Sequence, residues 1–455
     1  MVAEKSAVAG QRVEMGSFHE IEPQRRETIA GNWSAVIGST FFAIGAVLSR
    51  MRRALPWVAG WVTLTRLISG AAPAPRRQVA FLRWSVMSVL TAIPACFADS
   101  YADARACFHA AAGGAMTKTY DNPLPGPDGG ALATDCLWIG PATARRVFVM
   151  MSATHGVEGF CGSACQIDWL RQGGPAALPA GAAVLLVHAI NPHGFAWQRR
   201  VTEEGCDLNR NYIDFDQPVP DNPGHDALVD CFVPADLDDA SLVAADAKIA
   251  AYRAEHGERA FQMARKQGQY KHAHSVFFGG FGPTWARRTL ETIIDDFELP
   301  ARELTVVVDY HTGLGPHGHG EPICGHVPAS PGFRRVINMY GDFVGVPDLG
   351  TSASIPIHGS SREMWDRKLG DAYTYVALEF GTYPPDLGLK ALRADHWLHA
   401  QGPVNWADPT ARAIKAALKH QYDPAITGWR EAVLWRSRQV QRQSLAGLYE
   451  EENRP

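Results

Sequence analysis

The sequence predicts an α/β fold with a mostly parallel sheet covered by helices. Four continuous apolar runs are typical of strands buried on both faces, as in the centre of a parallel sheet. These runs are residues 146–153, 183–190, 304–309 and 373–379. Stretches with helical spacing of apolar residues alternate with the runs, and this alternation indicates a parallel, helix-covered sheet. The predicted helices are residues 99–113, 158–172, 241–268, 408–420 and 427–449.

Polar residues stand at the ends of these predicted strands. In chain order they are His155, Asn191, His311 and Glu379. A Pro-containing turn follows Asn191 and stops the second strand. Ligands of parallel α/β sheets bind outside the carboxyl ends of the strands, where such residues meet. The sequence therefore predicts a functional site at this edge of the sheet.

The composition excludes several classes of function. The chain has 455 residues, and 43 Lys plus Arg stand against 47 Asp plus Glu, which gives a formal net charge of −4. This near-neutral balance leaves no basic footprint for a nucleic-acid partner. Hydrophobic residues make up 46% of the chain, enough for a packed core, so wholesale disorder is excluded. The eight cysteines include no CxxC pair, which favours a reduced, cytoplasmic protein.

Residues 1–86 differ in character from the rest of the chain. Two apolar runs, 33–49 and 54–69, are at or below the roughly 20 residues that a membrane helix needs, and an arginine interrupts the second. An arginine near the bilayer centre costs at least about 2.5 kcal/mol, which disfavours a membrane partner. An anchor through residues 33–69 is the alternative to a cytoplasmic protein. We expect residues 1–86 to be a poorly ordered extension, or an addition from a wrongly assigned start, with the functional domain beginning near Met87.

Two motifs contain candidate metal ligands. His155 and Glu158 stand three residues apart at a predicted strand-to-helix corner, and His311 follows a buried strand in the motif Asp-Tyr-His-Thr-Gly. Zn²⁺ accepts imidazole and carboxylate ligands, and its catalytic sites use three protein ligands. Asp309 or the nearby backbone could orient the His311 imidazole. The ordinary alternatives are a helix-start histidine, a solvated glutamate and a buried core histidine.

Two further features could bind and process a substrate. The run 200–211 contains Arg200, Asn209 and Arg210. Because guanidinium groups grip carboxylates in a bidentate fork and an amide adds a donor, this run predicts an anion clamp. A solvated surface loop is the alternative. Glu379 ends an apolar strand, where a carboxylate is costly to bury unless it is paired or functional, so it is a candidate general base, with a helix cap or an ion pair as alternatives.

In this order, the motifs resemble those of the zinc carboxypeptidase superfamily. The nearest resemblance is to a bacterial branch of unknown function, close to the succinylglutamate desuccinylases and aspartoacylases, and it covers roughly residues 90–400. It implies a zinc-carboxypeptidase-like fold, which is a mixed, mostly parallel twisted sheet with helices on both faces. It also implies one Zn²⁺ per chain, with His155, Glu158 and His311 as its ligands.

The same resemblance implies the roles of the other residues. Asn209 and Arg210 would hold a substrate carboxylate. Arg200 would stabilise the oxyanion, with Arg199 as the alternate arginine in the substrate site. Glu379 would act as the general base toward a metal-activated water.

The implied function is zinc-dependent hydrolysis of an amide bond next to a free carboxylate in a small peptide. Deacylation of an N-acyl amino acid is the first alternative, and a non-catalytic zinc- or ligand-binding module is the second. The expected catalytic domain spans residues 87–425, with an insertion within about 213–300, and a helical extension follows at 426–455. No feature of the sequence predicts an oligomeric state.

The sequence departs from the family pattern at two places. Glu158 and His311 lie 153 residues apart, which is longer than expected and is the reason for the predicted insertion. The carboxypeptidases also carry a mobile tyrosine some twenty residues before the base, and the corresponding region before Glu379 has none. His358 is the candidate to replace it in substrate binding. The missing tyrosine favours deacylation, or an unusual peptide, over standard peptide cleavage.

Overall fold

A seven-stranded mixed sheet forms the centre of the computed structural model, which describes residues 94–115 and 117–450. The strands are β1 Thr117–Pro125, β2 Ala131–Ile139, β3 Arg146–Met151, β4 Ala182–His188, β5 Leu304–Thr312, β6 Gly320–Cys324 and β7 Tyr373–Phe380. The helices are α1 Tyr101–Ala112, α2 Gly159–Arg171, α3 Pro192–Ala196, α4 Pro223–Phe232, α5 Asp239–Lys266, α6 Trp285–Asp296, α7 Pro331–Tyr340, α8 Ser361–Leu369, α9 Pro385–Ala400, α10 Pro409–Tyr422 and α11 Thr427–Gly447. The expectations for residues 1–86, including a membrane anchor within 33–69, concern residues outside the described part of the chain.

The strands lie in the order β1-β2-β4-β3-β5-β7-β6. The neighbouring pairs β4–β3, β3–β5 and β5–β7 are parallel, whereas the pairs toward the two edges are antiparallel. Five of the seven strands therefore run in one direction. The prediction of a mixed, mostly parallel sheet is confirmed, and its carboxyl edge brings the ends of β3, β5 and β7 together.

The four strands predicted from the sequence are the four parallel ones at the centre. Every residue of β4 and β5 is buried, which explains why both strands are written as continuous apolar runs. The sequence did not predict β1, β2 or β6. β1 mixes polar residues with two prolines, and β6 is a five-residue strand with a glycine and a proline. Such strands lack the apolar signal because they lie at or near the sheet edges, where proline is tolerated.

Helices cover both faces of the sheet, as predicted. Successive residues of a strand point to opposite faces, so Val306 packs with α2, α7 and α11 on one side, whereas Val307 packs with α6 and α8 on the other. Trp429 and Val433 of α11 belong to the first of these cores, so the C-terminal helix forms part of the main packing of the sheet. None of the helices in the described residues combines the length and the apolar character needed to cross a membrane.

A third apolar cluster lies at the carboxyl edge of the sheet. It includes Ala153 and Ala189, which lie within two residues of the ends of β3 and β4, together with side chains from α4, α5, α9 and α10. Helices α4 and α5 fall within the stretch 213–300 that was expected to be an insertion. These helices therefore form one wall of the region in which the predicted site residues meet.

Candidate metal centre and active site

The three candidate metal ligands converge at the carboxyl edge of the sheet. Ligand atoms of His155, Glu158 and His311 all lie within 4.8 Å of one another, and the three side chains are buried. The two imidazole rings have their centroids 5.0 Å apart. His155 and Glu158 follow the end of β3, and His311 lies at the end of β5. Because these two strands are parallel neighbours, their carboxyl ends bring the three residues together, as the sequence predicted. This is the sole such cluster of His, Cys, Asp and Glu among residues 94–115 and 117–450.

The turn that carries His155 and Glu158 is fixed by its backbone. Ala153, just after β3, has a φ of 63°, a left-handed conformation that is uncommon for residues with a Cβ and that redirects the chain out of the strand. Gly156 lies against Gly194, where an added Cβ would come within 2.1 Å of the Gly194 carbonyl carbon. The N–H group of Val157 also donates to the carbonyl oxygen of Arg199 at 2.8 Å. The glycine is therefore required for this close packing of the two loops.

Each imidazole faces a buried aspartate on its far side. Asp207 Oδ1 lies 3.4 Å from His155 Nδ1, and Asp309 Oδ2 lies 3.0 Å from His311 Nε2. Asp309 also accepts a hydrogen bond from the Thr154 hydroxyl at 2.8 Å. Carboxylates in this position orient metal-ligating histidines and fix their tautomers. The expectation that Asp309 orients His311 agrees with these distances.

The two histidines differ in their protonation. Burial, followed by the positive charge of Arg200, lowers the pKa of His155 well below its ordinary value, so this imidazole is neutral. Burial would also lower the pKa of His311, but Asp309 and Glu158 outweigh it and raise that pKa well above the ordinary value. A cation at this site would have to displace the proton of His311, because a metal ligand must be deprotonated.

Arg200 lies between the carboxylates of the site. Its guanidinium donates to Glu158 Oε1 at 2.6 Å, to Asp207 Oδ2 at 3.0 Å and to His155 Nε2 at 2.8 Å. Since an arginine can only donate, His155 Nε2 accepts, and the ring hydrogen is on Nδ1, which faces Asp207. Burial would lower the pKa of Arg200, but Asp207 and Glu158 raise it above its ordinary value. Arg200 is thus a fixed positive charge in contact with two of the candidate ligands.

Glu379 occupies the strand position beside His311. The two residues are register partners in the pair β5–β7, and Glu379 is only 7% exposed. Its Oε1 accepts a hydrogen bond from the backbone N–H of Leu314 at 2.9 Å. Burial, together with the nearby charge of Glu158, raises the pKa of Glu379 to about 7. A carboxyl group with such a pKa can accept and release a proton near neutral pH.

Asn209 and Arg210 lie in the same cavity as these residues. The cavity, called the main cavity below, is lined by His155, His311, Glu379 and both residues of the predicted clamp. The Asn209 Oδ1 atom accepts from the N–H group of Ser361 at 2.9 Å. Three N–H groups of Arg210 donate to the carbonyl oxygens of Lys266 and Asn209, so one hydrogen on each terminal nitrogen is left for a ligand.

Two residues predicted to bind substrate lie elsewhere. The Arg199 guanidinium donates to Asp395 Oδ2 at 3.0 Å in a buried ion pair, away from the residues that line the main cavity. His358 is half-buried, its backbone N–H donates to the carbonyl oxygen of Gln267, and its side chain does not line the main cavity. Arg199 was the alternate to Arg200 in the substrate site. Arg200, and not Arg199, lies at the candidate metal ligands.

The side chains of the cluster suit a metal ion. Two imidazoles and one carboxylate are a ligand set that Zn²⁺ accepts at about 2.0–2.2 Å, so ligand atoms this close together need only small adjustments to share one ion. His155 Nδ1 and His311 Nε2 face the aspartates, which leaves the other nitrogen of each ring on the side of the Glu158 carboxylate, where His311 Nδ1 lies 3.5 Å from Glu158 Oε2. The residues present therefore fit a metal site, and the chemistry of the donors does not by itself fix which metal.

Comparison with known families identifies the chain. Residues 97–436 match the family described as "Protein of unknown function (DUF2817)". The chain belongs to the DUF2817 family. Among solved structures, this DUF2817 protein is similar to carboxypeptidase A from Helicoverpa armigera, at 12% identity over 86% of this chain and 87% of that one, with a TM-score of 0.41.

Two further solved structures are also similar to this chain. An aspartoacylase family protein from Mesorhizobium loti is 14% identical, over 64% of this chain and 68% of that one, with a TM-score of 0.32. The succinylglutamate desuccinylase from Chromobacterium violaceum is 15% identical, over 70% and 74% of the two chains, with a TM-score of 0.31. No curated protein matches this DUF2817 chain.

Several residues at the site were not predicted from the sequence. Phe277 has a φ of 55°, and its ring lies 5.3 Å from the guanidinium carbons of both Arg200 and Arg210. Tyr422, the last residue of α10, lines a second cavity beside Glu379. No motif marks either residue, because an aromatic residue in a loop or at a helix end usually belongs to the core.

Proposed function

We propose that this DUF2817 protein is a zinc-dependent hydrolase that cleaves an amide bond next to a free carboxylate. The observation that supports this proposal is the arrangement of three groups around one cavity. They are the His155, Glu158 and His311 cluster, a carboxyl group with a raised pKa in Glu379, and the guanidinium of Arg210, whose terminal nitrogens each keep one hydrogen for a ligand. Such an arrangement combines a metal site, a general base and a carboxylate clamp.

The proposed chemistry divides between the metal and the protein. A Zn²⁺ ion bound by the cluster would act as a Lewis acid and lower the pKa of water toward neutrality. Glu379 accepts a proton from the attacking water and later delivers it to the leaving amine. Its pKa of about 7 suits both steps, because an efficient acid–base catalyst has a pKa near the working pH.

The arginines would bind and stabilise negative charge. Burial lowers the pKa of Arg210, and its nearest carboxylate, Asp207, is 3.8 Å away, so Arg210 is largely uncompensated. We assign it, with Asn209, to the substrate carboxylate, which would position the scissile bond. Arg200 would stabilise the oxyanion, and removal of one such donor typically costs roughly 10²–10³ in kcat.

A metal analysis joined to a substrate panel tests the proposal. The full chain would be loaded with Zn²⁺ and assayed on short peptides and N-acyl amino acids, all with a free carboxylate next to the amide. We expect hydrolysis that a chelator abolishes and added Zn²⁺ restores. Cleavage of the acyl group alone would identify the deacylase alternative, since both reactions use the same clamp.

Two variants separate catalysis from binding. Glu379→Gln should retain about one metal ion per chain but lose turnover by roughly 10²–10⁴-fold, the usual contribution of a general base. Glu255→Gln, an exposed residue of α5, is the matched control and should behave as the unaltered protein. Binding of Zn²⁺ without hydrolysis of any substrate would instead support the non-catalytic binding module.

A further inference from the structure

A second cavity adjoins the main cavity at the catalytic residues. This side cavity shares Arg200, Arg210 and Glu379 with the main cavity. It is also lined by Arg265 and Lys266, which are the last two residues of α5. A molecule whose reacting bond lies beside Glu379 can therefore extend into both cavities.

Arg265 is buried and forms no ion pair with any residue that the structure describes. It is 3% exposed, and its Nε and Nη1 atoms have no hydrogen-bond partner in the described structure. Its Nη2 atom makes one contact, with the carbonyl oxygen of Pro385 at 3.2 Å. Two of its three nitrogens are therefore unpaired inside the protein, although buried polar groups are nearly always hydrogen-bonded.

Lys266 adds a second buried basic group to the same cavity. Its side chain is 9% exposed, and among residues 94–115 and 117–450 no carboxylate lies within ion-pair distance of Lys266 or Arg265. Burial, followed by the charge of Arg265, lowers the pKa of Lys266 to about 7. By contrast, Arg200 is neutralised by two carboxylates.

The position of both residues at the end of a helix does not account for this arrangement. Cations in a last helical turn are favoured by the helix dipole, but this gain is limited to about 2 kcal/mol even in partly buried geometries. Two adjacent cations without a partner are costly to bury, because each loses its water shell and they repel each other. A negatively charged ligand would offset both costs.

We propose that Arg265 and Lys266 form a subsite for a second acidic group, carried on the acyl side of the amide substrate. The substrate class is then an N-acyl amino acid or peptide whose acyl part ends in a carboxylate. This inference rests on the proposed function, since the reacting amide is assigned to the junction of the cavities at Glu379. Arg210 and Asn209 hold the carboxylate beside the amine, and Arg265 and Lys266 hold the other one.

A matched pair of substrates tests the subsite in the zinc-loaded full chain. N-glutaryl and N-glutaramoyl derivatives of one amino acid have nearly the same size and differ in one negative charge. We expect kcat/KM to be at least about tenfold higher for the glutaryl substrate. Arg265→Gln and Lys266→Met should each reduce this ratio toward one, whereas the control Arg259→Gln, an exposed residue of the same helix, should leave it unchanged. A ratio near one in the unaltered chain, or an equal loss on both substrates in the variants, would overturn the proposal.

A binding measurement separates the subsite from the proposed reaction. Glutarate and its neutral analogue glutaramide would be added to the metal-free full chain, and the thermal midpoint would be recorded. We expect glutarate alone to raise the midpoint, and Lys266→Met to reduce that shift by at least half without lowering the midpoint of the ligand-free protein. If no substrate is hydrolysed but this pattern holds, the proposed function fails and the anion subsite stands. If substrates are hydrolysed but glutarate shifts the unaltered and variant proteins equally, the subsite is refuted alone.

Discussion

Glu379→Gln should make the zinc-loaded protein inactive, and it should make the metal-free protein more stable above neutral pH. The substitution keeps the size of the side chain and the oxygen that accepts from Leu314 N–H, but it removes a carboxylate that is 7% exposed. Burial and the charge of Glu158 raise the pKa of Glu379 from its ordinary 4.5 to about 7. The ionised form of this residue is therefore less favourable in the folded chain than in the unfolded one.

The size and the sign of the effect follow from that shift. Each pKa unit corresponds to about 1.4 kcal/mol, so ionised Glu379 lowers the free energy of unfolding by about 3 kcal/mol. Below pH 4.5 the residue is protonated in both the folded and the unfolded chain, so it does not lower the free energy of unfolding. The cost develops as the pH rises from 4.5 through 7 and is constant above that range. Glutamine has no such cost at any pH.

Urea unfolding of the metal-free proteins at several pH values measures this difference. We expect the free energies of unfolding of the variant and the unaltered protein to agree near pH 4.5, and the variant to be more stable by about 3 kcal/mol at pH 8.5. Glu255→Gln, on the exposed face of α5, should show no such gap. A gap that does not change with pH, or a variant that is less stable at pH 8.5, would refute the reasoning.

Three other substitutions test the cluster and the core. His311→Ala should lower the bound metal from about one ion per chain to below roughly a tenth, measured by atomic emission, because one of three protein ligands is removed. Asp207→Asn should weaken metal binding by roughly 10–100-fold in competition with a chelating dye, since the charge 3.4 Å from His155 is lost; an unchanged affinity would contradict its orienting role. Trp429→Ala should lower the free energy of unfolding by about 3–5 kcal/mol in urea, because this side chain is 1% exposed and its Nε1 donates to the carbonyl oxygen of Gly381. A loss below about 1 kcal/mol would contradict its place in the core.

The central strands and the ligand cluster could be predicted because their signals are local. A strand buried on both faces must be apolar along its whole length, so β3, β4, β5 and β7 are visible as runs. The ends of parallel strands meet at one edge, so polar residues that directly follow such runs are brought together. For this reason His155, Glu158 and His311 converge, with Glu379 beside His311 in the strand register, although 153 residues separate Glu158 from His311.

The tertiary structure decided what no local pattern determines. Whether Arg199 or Arg200 faces the ligands depends on how the loop after α3 packs on Gly156, and neighbouring residues of a chain point to different sides. The burial of Arg265 and Lys266 is similarly not determined by a local pattern, because arginine and lysine are mostly exposed in proteins. These two residues are unusual because they are buried and no carboxylate of the described residues lies within ion-pair distance of them. Sequence alone therefore determined which groups could react, whereas long-range packing determined which of them are desolvated and paired, since the cost of a charge depends on its surroundings in space.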